Sequence, residues 1–363
     1  VLTTQLGDLL GTIKGSAVNF VVKYIKKMVP GWTLPGAVSL SSALRKGADV
    51  QRKLVPVSLA HDDIAFLQYT GGTTGGVKGA MLTQRNLVAN LLQAKAWIKP
   101  YLGNEPQIVV TALPLYHVFA LTANCLTFVA LGAANVLITN PRDIAGFVGS
   151  LKKYPFTVLT GVNTLFNALL DSPEFARLDF SHLRITLGGG MAVQKSVAIR
   201  WQTTTKVALI EAYGLTETSP AVSINPLDLA EFNGAIGLPL PSTDIAIRDD
   251  AGNDLPLGEV GELCVSGPQV MAGYWRQPEE TAKVMMSDGF LRTGDLAVVD
   301  AQGFIRLVDR KKDLIVVSGF KVFPNEVEDV IALHPGVREV AVIGVPDGHS
   351  GEAVKAFVVK RDA

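Results

Sequence analysis

The sequence contains only two cysteines among its 363 residues, and both lie in apolar stretches. Cys125 and Cys264 form no C-x-x-C pair, so neither a disulfide framework nor a thiolate zinc site is predicted, and both are interpreted as reduced core residues of a cytoplasmic protein. The five histidines lack metal-ligand spacing: His61, His117, His182, His334 and His349. Charge of one sign is also missing, because 33 basic residues balance 33 acidic ones. Without a basic excess, nucleic acid is not an expected partner.

Two familiar catalytic loops are absent. No G-x-S-x-G nucleophile elbow occurs: GHSG at 348–351 comes closest, but Glu352 occupies the final glycine position, which excludes a serine hydrolase of that kind. The P-loop pattern G-x-x-x-x-G-K-[ST] also fails, because Val77 stands before Lys78 and a glycine follows.

Membrane-directed segments are weakly supported. The first 20 residues lack the basic-then-apolar order of a signal peptide. The apolar run 118–138 is interrupted by threonine, asparagine and glycine, which favours a buried helix–turn–strand over a membrane span. Segment 15–29, GSAVNFVVKYIKKMV, carries Lys23, Lys26 and Lys27 at helical spacing. It fits a helix with a solvated lysine face better than one lying on an anionic membrane, but both readings stay open.

The pattern of predicted secondary structure changes twice along the chain. Strand-like runs alternate with helical patterns over 59–230, which predicts a parallel sheet covered by helices. Short strands separated by Gly, Pro and Asp turns fill 231–309, and a helix with two strands follows in 310–363. The predicted fold class is therefore α/β, with parallel sheets flanked by helices in the large domain, a small β-barrel-like subdomain and an incomplete α+β C-terminal domain.

A glycine- and threonine-rich loop, YTGGTTGGVKG, begins at Tyr69. Glycines let backbone N–H groups turn inward and threonines add hydroxyl donors, so the loop is predicted to wrap the β- and γ-phosphates of ATP, with Lys78 adding a point charge. The residues assigned to this role are Thr70, Gly71, Gly72, Thr73, Thr74 and Gly75. The alternative is a flexible hairpin tip. In either case GAML is the expected return strand, and Thr83 the N-cap of the next helix.

A second motif, EAYGLTET, spans 211–218. The Tyr213 ring offers a flat apolar surface for an adenine, and Gly214 lets the backbone approach. Thr216 can donate to an α-phosphate, and Glu217 can hold Mg²⁺ against phosphate oxygens. Taken alone, the motif fits a core tyrosine followed by a solvated helix cap equally well.

Four segments in this order resemble the adenylate-forming acyl-CoA synthetase/luciferase/adenylation-domain superfamily: YTGGTTGGVKGAM, EAYGLTET, LRTGDLAVVDAQGFIRLVDRKKDLI and SGFKVFPNEVE. PLYHVFALTANCL and TGVNTLFNALL resemble the bacterial long-chain fatty acyl-CoA synthetases within it. The resemblance implies an acid–thiol ligase that uses ATP, Mg²⁺ and coenzyme A to activate a long-chain fatty acid. It is compatible with a homodimer and with peripheral contact at the inner face of the cell membrane.

The resemblance also implies roles for single residues. Asp295 is the expected acceptor for the ribose hydroxyls, and Arg310 is expected on ribose or phosphate. Lys312 falls at the hinge between the large and small domains. His117 is placed near the acyl carboxylate as a gate, although a lone histidine in an apolar segment is often a satisfied core residue. The remaining cofactor-binding assignments are Gly189 and Gly190 beside adenine and acyl carbonyl, Glu211 in the second motif, and Ser318 and Gly319 along a pantetheine arm.

Compared with the resembled family, the sequence looks shortened at both ends. Residues 1–58 are predicted to be the remnant of an N-terminal subdomain. The family's terminal P-x-x-x-x-G-K motif, with its catalytic lysine, does not occur before Ala363, so an inactive fragment is predicted. Two alternatives to fatty acid ligation stay open: an aryl- or amino-acid-activating adenylation enzyme, and a nucleotide- or acyl-AMP-binding module without turnover.

Overall fold

A computed structural model describes residues 1–51, 54–70 and 77–360. The backbone divides into two compact units, one of residues 1–59 and one that begins at Ala60. In the first unit, β1 (Leu2–Thr3) pairs in parallel with β2 (Val38–Ser39). The helical segments are α1 (Thr12–Phe20), which continues into a π-helix (Val21–Ile25), and α2 (Leu40–Val50). Of the helix predicted over 15–29, the part up to Ile25 is present, and the chain leaves the helix before Lys27. Within the described residues, no helix has the length and apolarity needed to span a bilayer.

The second unit opens with a hairpin. Strands β3 (Ile64–Thr70) and β4 (Lys78–Thr83) pair antiparallel, and α3 (Gln84–Ile98) follows directly. The Thr83 hydroxyl accepts from the backbone N–H of Asn86, and the Asn86 side chain accepts from the Thr83 N–H in return. This capping box fixes where the helix begins. The hairpin and the N-cap predicted from the sequence are both confirmed.

A seven-stranded sheet forms the centre of this unit, in the order β11-β10-β9-β8-β7-β5-β6. Its strands are β5 (Ile108–Thr111), β6 (Ala134–Leu137), β7 (Val158–Gly161), β8 (Ile185–Gly188), β9 (Leu209–Gly214), β10 (Ala221–Ile224) and β11 (Leu238–Pro239). Strands β5 to β9 pair in parallel, whereas β10 and β11 join antiparallel. Every residue of β7 and β8 is buried, as expected for strands covered on both faces.

Helices connect the parallel strands. They are a 3₁₀ turn (Lys99–Tyr101), a π-helix (Phe119–Leu126), α4 (Thr127–Ala130), α5 (Ile144–Leu151), α6 (Asn163–Leu170) and α7 (Lys195–Thr205). The π-helix, α4 and β6 together confirm the helix–turn–strand predicted for 118–138. The Trp201 ring packs edge-on against Phe166, with ring centroids 4.9 Å apart, and at a tilt against Phe175, at 5.2 Å. These aromatic contacts hold α6 and α7 against each other.

The β-rich segment is an open antiparallel sheet. Its order is β12 (Asp244–Arg248), β13 (Gly261–Ser266), β14 (Leu291–Val299) and β15 (Ile305–Arg310), and α8 (Pro278–Val284) lies between β13 and β14. Among the described strands, β12 and β15 do not pair, so the sheet does not close into a barrel.

The last segment is the predicted α+β arrangement. Strands β16 (Ile315–Val317), β17 (Phe320–Val322), β18 (Val337–Asp347) and β19 (Gly351–Lys360) form an antiparallel sheet in the order β17-β16-β19-β18. Helix α9 (Pro324–Ala332) precedes β18. The α/β fold class is confirmed.

Candidate active site

A cavity of 1040 Å³ is lined by residues of β7, β8 and β9 from the parallel sheet and of β14 and β15 from the β-rich sheet. Its walls differ in chemistry along its length. The polar mouth is formed mainly by Lys78, Thr216, Glu217, Tyr274, Thr293, Asp295 and Arg310. The apolar arm is formed mainly by Ala94, Ile98, Phe119, Phe128, Val158, Ile185 and Leu187. The same cavity therefore offers hydrogen-bonding groups at its mouth and an apolar lining behind them.

The cavity lining as a whole carries an excess of positive charge. Six described basic residues line the cavity, against three acidic ones, Glu217, Glu262 and Asp295. The basic residues are Lys78, Lys283, Arg292, Arg310, Lys311 and Lys312. A concave site with this imbalance favours an anionic ligand.

Tyr213 and Asp295 join the parallel sheet to the β-rich sheet. The Tyr213 hydroxyl donates to Asp295 Oδ2 at 2.5 Å, and Arg310 Nε lies 3.4 Å from Asp295 Oδ1. Asp295 and Arg310 are cross-strand partners on β14 and β15. Burial raises the pKa of Asp295, and it raises that of Tyr213 well above its ordinary value, with the Asp295 charge adding to the effect. Tyr213 and Asp295, which belong to two different sequence motifs, thus form one hydrogen-bonded pair.

Glu217 is held on both its backbone and its side chain. It lies in a 3₁₀ turn (Thr216–Thr218) just after β9. Its carbonyl accepts from the backbone N–H of Met271 at 2.8 Å, and its Oε1 accepts from the Tyr274 hydroxyl at 2.7 Å. The half-buried carboxylate lines the mouth together with Thr216.

Lys78 begins β4 and pairs across the hairpin with Thr70, whose hydroxyl donates to the Lys78 carbonyl at 3.4 Å. Its ammonium group forms an ion pair with Glu280 of α8 and lies 5.2 Å from the centre of the Tyr274 ring. The hydrogen bond and charge of Lys283, with those of Lys78, lower the pKa of Glu280 to about 2. In this arrangement, the predicted point charge of Lys78 already has a carboxylate partner.

Two glycines are required by neighbouring backbone. A Cβ built on Gly214 would lie 2.0 Å from the carbonyl oxygen of Pro220, which also accepts from the backbone N–H of Leu215 at 3.0 Å. A Cβ on Gly189 would lie 3.0 Å from the Ala212 carbonyl oxygen. Both glycines line the cavity. Packing within the chain is enough to require Gly214, whereas the contact at Gly189 is only tight.

His117 precedes the π-helix and lines the cavity, with its side chain exposed. The ring Nδ1 accepts from the backbone N–H of Phe119 at 3.2 Å. The backbone N–H of His117 donates to the Pro114 carbonyl at 2.9 Å. The core-histidine alternative weighed for this position is not what the structure has. The residue instead lies at the cavity wall.

The remaining predicted residues divide into three groups. Gly190 and Lys312 lie on the cavity wall. Glu211, Ser318 and Gly319 are not among the described residues that line it. Glu211 is buried, and its Oε1 accepts from the backbone N–H of Val193 at 3.0 Å, whereas Ser318 and Gly319 form an exposed turn between β16 and β17. The loop assignments Gly71, Gly72, Thr73, Thr74 and Gly75 lie outside the described residues.

Two features of the site were missed by the sequence analysis. Tyr274 and Glu280 come from MAGYWRQPEET, a stretch that places an aromatic hydroxyl and acidic residues shortly before β14. A second cluster centres on buried Glu262, which accepts from Arg292 at 2.8 Å and from Lys311 at 3.2 Å. The sequence indicates Tyr274 and Glu280 only through the mixture of aromatic and charged residues at 271–283.

Magnesium fits the mouth on the chemistry of its donors. Within the part of the chain that the structure describes, no three His, Cys, Asp or Glu side chains gather as a preformed metal cage. Glu217 alone offers a carboxylate beside the Thr216 hydroxyl. Magnesium in nucleotide sites usually binds through one or two carboxylates and completes its shell with phosphates and water, so a single carboxylate is a compatible donor set.

Comparison with known proteins identifies the family. The sequence profile described as AMP-binding enzyme matches residues 18–275, and the profile described as AMP-binding enzyme C-terminal domain matches residues 326–363. The chain belongs to the AMP-binding enzyme family. The resemblance inferred from the sequence motifs is thereby confirmed.

Individual members of the AMP-binding enzyme family show how far the similarity extends. A protein of Yersinia pestis named Long-chain-fatty-acid--CoA ligase is 60% identical over 363 residues, which is 100% of this chain and 64% of that protein. The ATP-bound crystal structure of MatB from Rhodopseudomonas palustris has a TM-score of 0.80 at 34% identity, over 90% of this chain and 64% of that one. The o-succinylbenzoate coenzyme A synthetase MenE from Bacillus subtilis, in complex with ATP and magnesium ion, has a TM-score of 0.75 at 28% identity, over 90% and 66%. The chain thus spans 64% of the length of the ligase it matches.

Proposed function

We propose that the protein acts as an ATP-dependent long-chain fatty acid:CoA ligase. In the first half-reaction, a carboxylate oxygen attacks the α-phosphorus of ATP, and the bond to the bridging oxygen breaks to release pyrophosphate. In the second, the coenzyme A thiolate attacks the acyl carbonyl carbon, and the C–O bond to AMP breaks. The 60% identity to a protein named for this activity supports the assignment.

The observation that carries the proposal is the joining of two chemistries in one cavity. A lining with more basic than acidic residues and a large apolar set share one volume of 1040 Å³. That volume is at the upper end of the range of about 300–1000 Å³ for small-molecule sites. A nucleotide with an acyl chain needs this combination, since its phosphates are anionic and its tail is apolar.

Residues of the mouth supply binding and orientation for adenylation. Thr216 donates to the α-phosphate, where negative charge grows as the carboxylate attacks. Asp295 accepts from the ribose hydroxyls, and Arg310 on the neighbouring strand offers a cation beside it. Tyr213 contributes the face of its ring to adenine while its hydroxyl stays on Asp295. Lys78 exchanges Glu280 for phosphate oxygens when ATP enters.

Glu217 would hold Mg²⁺ at this mouth, with ATP oxygens and water completing the shell. When bound, the metal neutralises charge on the phosphate oxygens, which is the main electrostatic difficulty in forming and releasing pyrophosphate. The chain's own contribution is to keep the Glu217 carboxylate fixed by its two hydrogen-bonded anchors.

The second half-reaction uses the other end of the chain. Lys312 lies on the cavity wall directly after β15, where a backbone rotation would replace the residues facing the mouth. Such a rotation is needed to bring the exposed turn of Ser318 and Gly319 to a pantetheine arm, because the turn does not line the cavity as described. His117, exposed at the wall, is suited to gate the passage between acyl carboxylate and thiol.

The substrate class follows from the arm. Its inner end is lined by Ile98, Phe128, Val158 and Ile185, which belong to one apolar cluster. An unbranched acyl chain suits such a lining, and we propose a long-chain fatty acid. An aryl acid is the rival, since the family includes o-succinylbenzoate coenzyme A synthetase.

Two measurements test the function. Calorimetry of this chain should show ATP binding that strengthens with Mg²⁺. In a version extended through the family's terminal P-x-x-x-x-G-K motif, ATP–pyrophosphate exchange should depend on palmitate far more than on aromatic acids. Absence of ATP binding by the folded chain contradicts the nucleotide assignment. Exchange supported equally by benzoate contradicts the fatty acid assignment. Binding without any exchange favours a binding module over a ligase.

We also propose a functional division of the chain at 1–58, 59–230, 231–309 and 310–363, and a cytoplasmic location with peripheral contact to the inner face of the membrane. The exposed side chains of Phe20, Tyr24 and Ile25 stand among Lys23, Lys26 and Lys27, which supports binding to anionic lipid. Flotation with anionic and neutral vesicles tests the contact. The homodimer stays a prediction, which sedimentation velocity tests.

A further inference from the structure

We propose that Tyr274 is a positioning residue that sets the Glu217 carboxylate for a metal-bound triphosphate. This inference rests on the proposed function, because it assigns a task to the carboxylate placed there. Tyr274 belongs to none of the motifs from which the site was predicted, and its contacts are visible only in the tertiary structure.

The backbone around Tyr274 is held at several points. Tyr274 forms an isolated antiparallel bridge with Ala80 of β4, and the next residue, Trp275, donates its N–H to the Gly79 carbonyl at 2.7 Å. The Tyr274 N–H donates to Thr281 Oγ1 of α8 at 2.8 Å. The residue is only 7% exposed. Its ring is therefore fixed against the strand that returns from the glycine-rich loop.

The hydroxyl end of the ring faces Glu217. The Tyr274 hydroxyl donates to Glu217 Oε1 at 2.7 Å, and among the described residues no hydrogen bond reaches the other oxygen, Oε2. A tyrosine hydroxyl is an O–H donor, so the Tyr274 phenol can hold the carboxylate in this way. Within the described residues, Tyr274 restrains one carboxylate oxygen, and we assign the other, Oε2, to the metal.

The face of the same ring carries a cation. Lys78 Nζ lies 5.2 Å from its centroid, a cation–π distance. One rigid side chain therefore contacts both the carboxylate proposed to hold the metal and the lysine proposed to hold phosphate. A merely structural tyrosine would have no reason to bridge the two charged groups that the mouth directs at one ligand.

The chemistry expected of Tyr274 is restraint without contact to the reacting atoms. Fixing Glu217 in one rotamer reduces the conformational entropy lost when Mg²⁺–ATP binds. Losing a hydrogen bond to a charged group costs an amount that corresponds to roughly 10- to 100-fold in an equilibrium constant. The loss should appear only when the metal is present.

The test uses Tyr274→Phe in the 363-residue chain, with Tyr154→Phe as control. The Phe variant keeps the ring and its contact with Lys78, and removes only the hydroxyl. Tyr154 is 45% exposed and is not among the residues that line the cavity. Calorimetry measures ATP binding with Mg²⁺ and with EDTA, and thermal unfolding confirms that each variant is folded.

Tyr274→Phe should weaken Mg²⁺–ATP binding by about 10-fold or more and leave metal-free ATP binding within about 2-fold of the native chain. In a Glu217→Gln background, the same change should add little, because the two groups act as a pair. If Tyr274→Phe folds poorly, Thr281→Val, which loosens the tyrosine backbone, should give the same metal-specific loss.

Three results overturn the inference. These are unchanged Mg²⁺–ATP binding in Tyr274→Phe, an equal loss with and without Mg²⁺, and a full additional loss in the Glu217→Gln background. In each case the native chain still binds Mg²⁺–ATP, so the proposed function survives. If the native chain binds no Mg²⁺–ATP, the proposed function fails and this inference fails with it.

Discussion

Replacing Asp295 with asparagine separates the cost of a buried charge from its use in binding. The Asp295 side chain is 8% exposed, accepts from the Tyr213 hydroxyl at 2.5 Å and lies 3.4 Å from Arg310 Nε. Burial nonetheless raises its pKa above the ordinary value, because desolvation outweighs the tyrosine hydrogen bond and the guanidinium charge. The folded protein therefore holds this charge at a cost, which is the pattern expected of a binding residue.

The stability change should be small. Asparagine keeps the shape and one acceptor oxygen, and it removes an ion pair to an arginine side chain that is 59% exposed. Such a pair contributes about 0–1 kcal/mol. Relief of desolvation acts in the opposite direction, so we expect the free energy of unfolding at pH 7 to change by less than about 1 kcal/mol.

The pH dependence has a definite sign. Because the folded-state pKa of Asp295 lies above its ordinary value of 3.8, the unfolded chain releases this proton first as the pH rises. The native protein thus loses stability from about the ordinary pKa up through the raised one, and Asp295→Asn should lack that component. Chemical denaturation of both proteins between pH 3 and 7 measures the difference.

Nucleotide binding should change far more. If both carboxylate oxygens of Asp295 accept from the ribose, asparagine offers only one acceptor oxygen, and that oxygen carries no charge. Each charge-assisted hydrogen bond contributes about 1.5–3 kcal/mol, so AMP affinity should fall by roughly 10- to 100-fold or more.

The assay compares AMP with 2′,3′-dideoxy-AMP by calorimetry. Asp295→Asn should weaken AMP strongly and the dideoxy nucleotide only slightly, because the latter has no hydroxyls to lose. Asp309→Asn is the matched control: Asp309 is also buried, its pKa is also raised by burial, and it is not among the residues that line the cavity. Equal losses for both nucleotides would refute the ribose contact. A destabilisation of several kcal/mol would refute the account of the buried charge.

Three further changes test other parts of the site. Glu217→Gln should fold normally and lose the Mg²⁺-dependent part of ATP binding. Glu259→Gln, an exposed control, should keep that part. Full Mg²⁺ dependence in Glu217→Gln would show that Glu217 does not bind the metal. Gly214→Ala should destabilise by about 1–3 kcal/mol in thermal unfolding because its Cβ would overlap a backbone carbonyl, while Gly149→Ala, with open space in α5, should not; equal melting temperatures would contradict the packing. In a full-length version, Lys312→Pro should spare acyl-AMP formation and block thioester formation if this residue is the hinge, and equal loss of both would indicate a binding or folding defect.

The local elements were predictable because their determinants lie close together in the sequence. The capping box of α3 needs only Thr83 and the asparagine three residues later, and the hairpin before it follows from two strand-like runs around a glycine-rich turn. Alternation of apolar strands with helices predicted the parallel sheet by the same kind of reasoning. Whether the β-rich segment closes into a barrel is harder to predict from the sequence, since closure depends on whether the edge strands β12 and β15 pair.

Among the predicted site residues, the sequence motifs indicate segments that line one cavity, but they do not indicate the contacts of single side chains. Gly214 was attributed to close approach by a ligand, whereas the Pro220 carbonyl already requires it. Glu211 was grouped with the nucleotide contacts, yet its Oε1 accepts from the Val193 N–H. Neither partner is recognisable from the spacing of residues within the motif.

The sequence by itself determined the order of the motifs, the class of the fold and the residue types available for phosphate, ribose and acyl chain. These depend on composition and short-range periodicity. Only the tertiary structure decided which side chains share a hydrogen bond: Tyr213 with Asp295, and Glu217 with Tyr274. The partners in each pair lie on separate elements, far apart in the sequence. Packing of those elements brings them within 3 Å, and such long-range contacts leave no periodic trace along the chain.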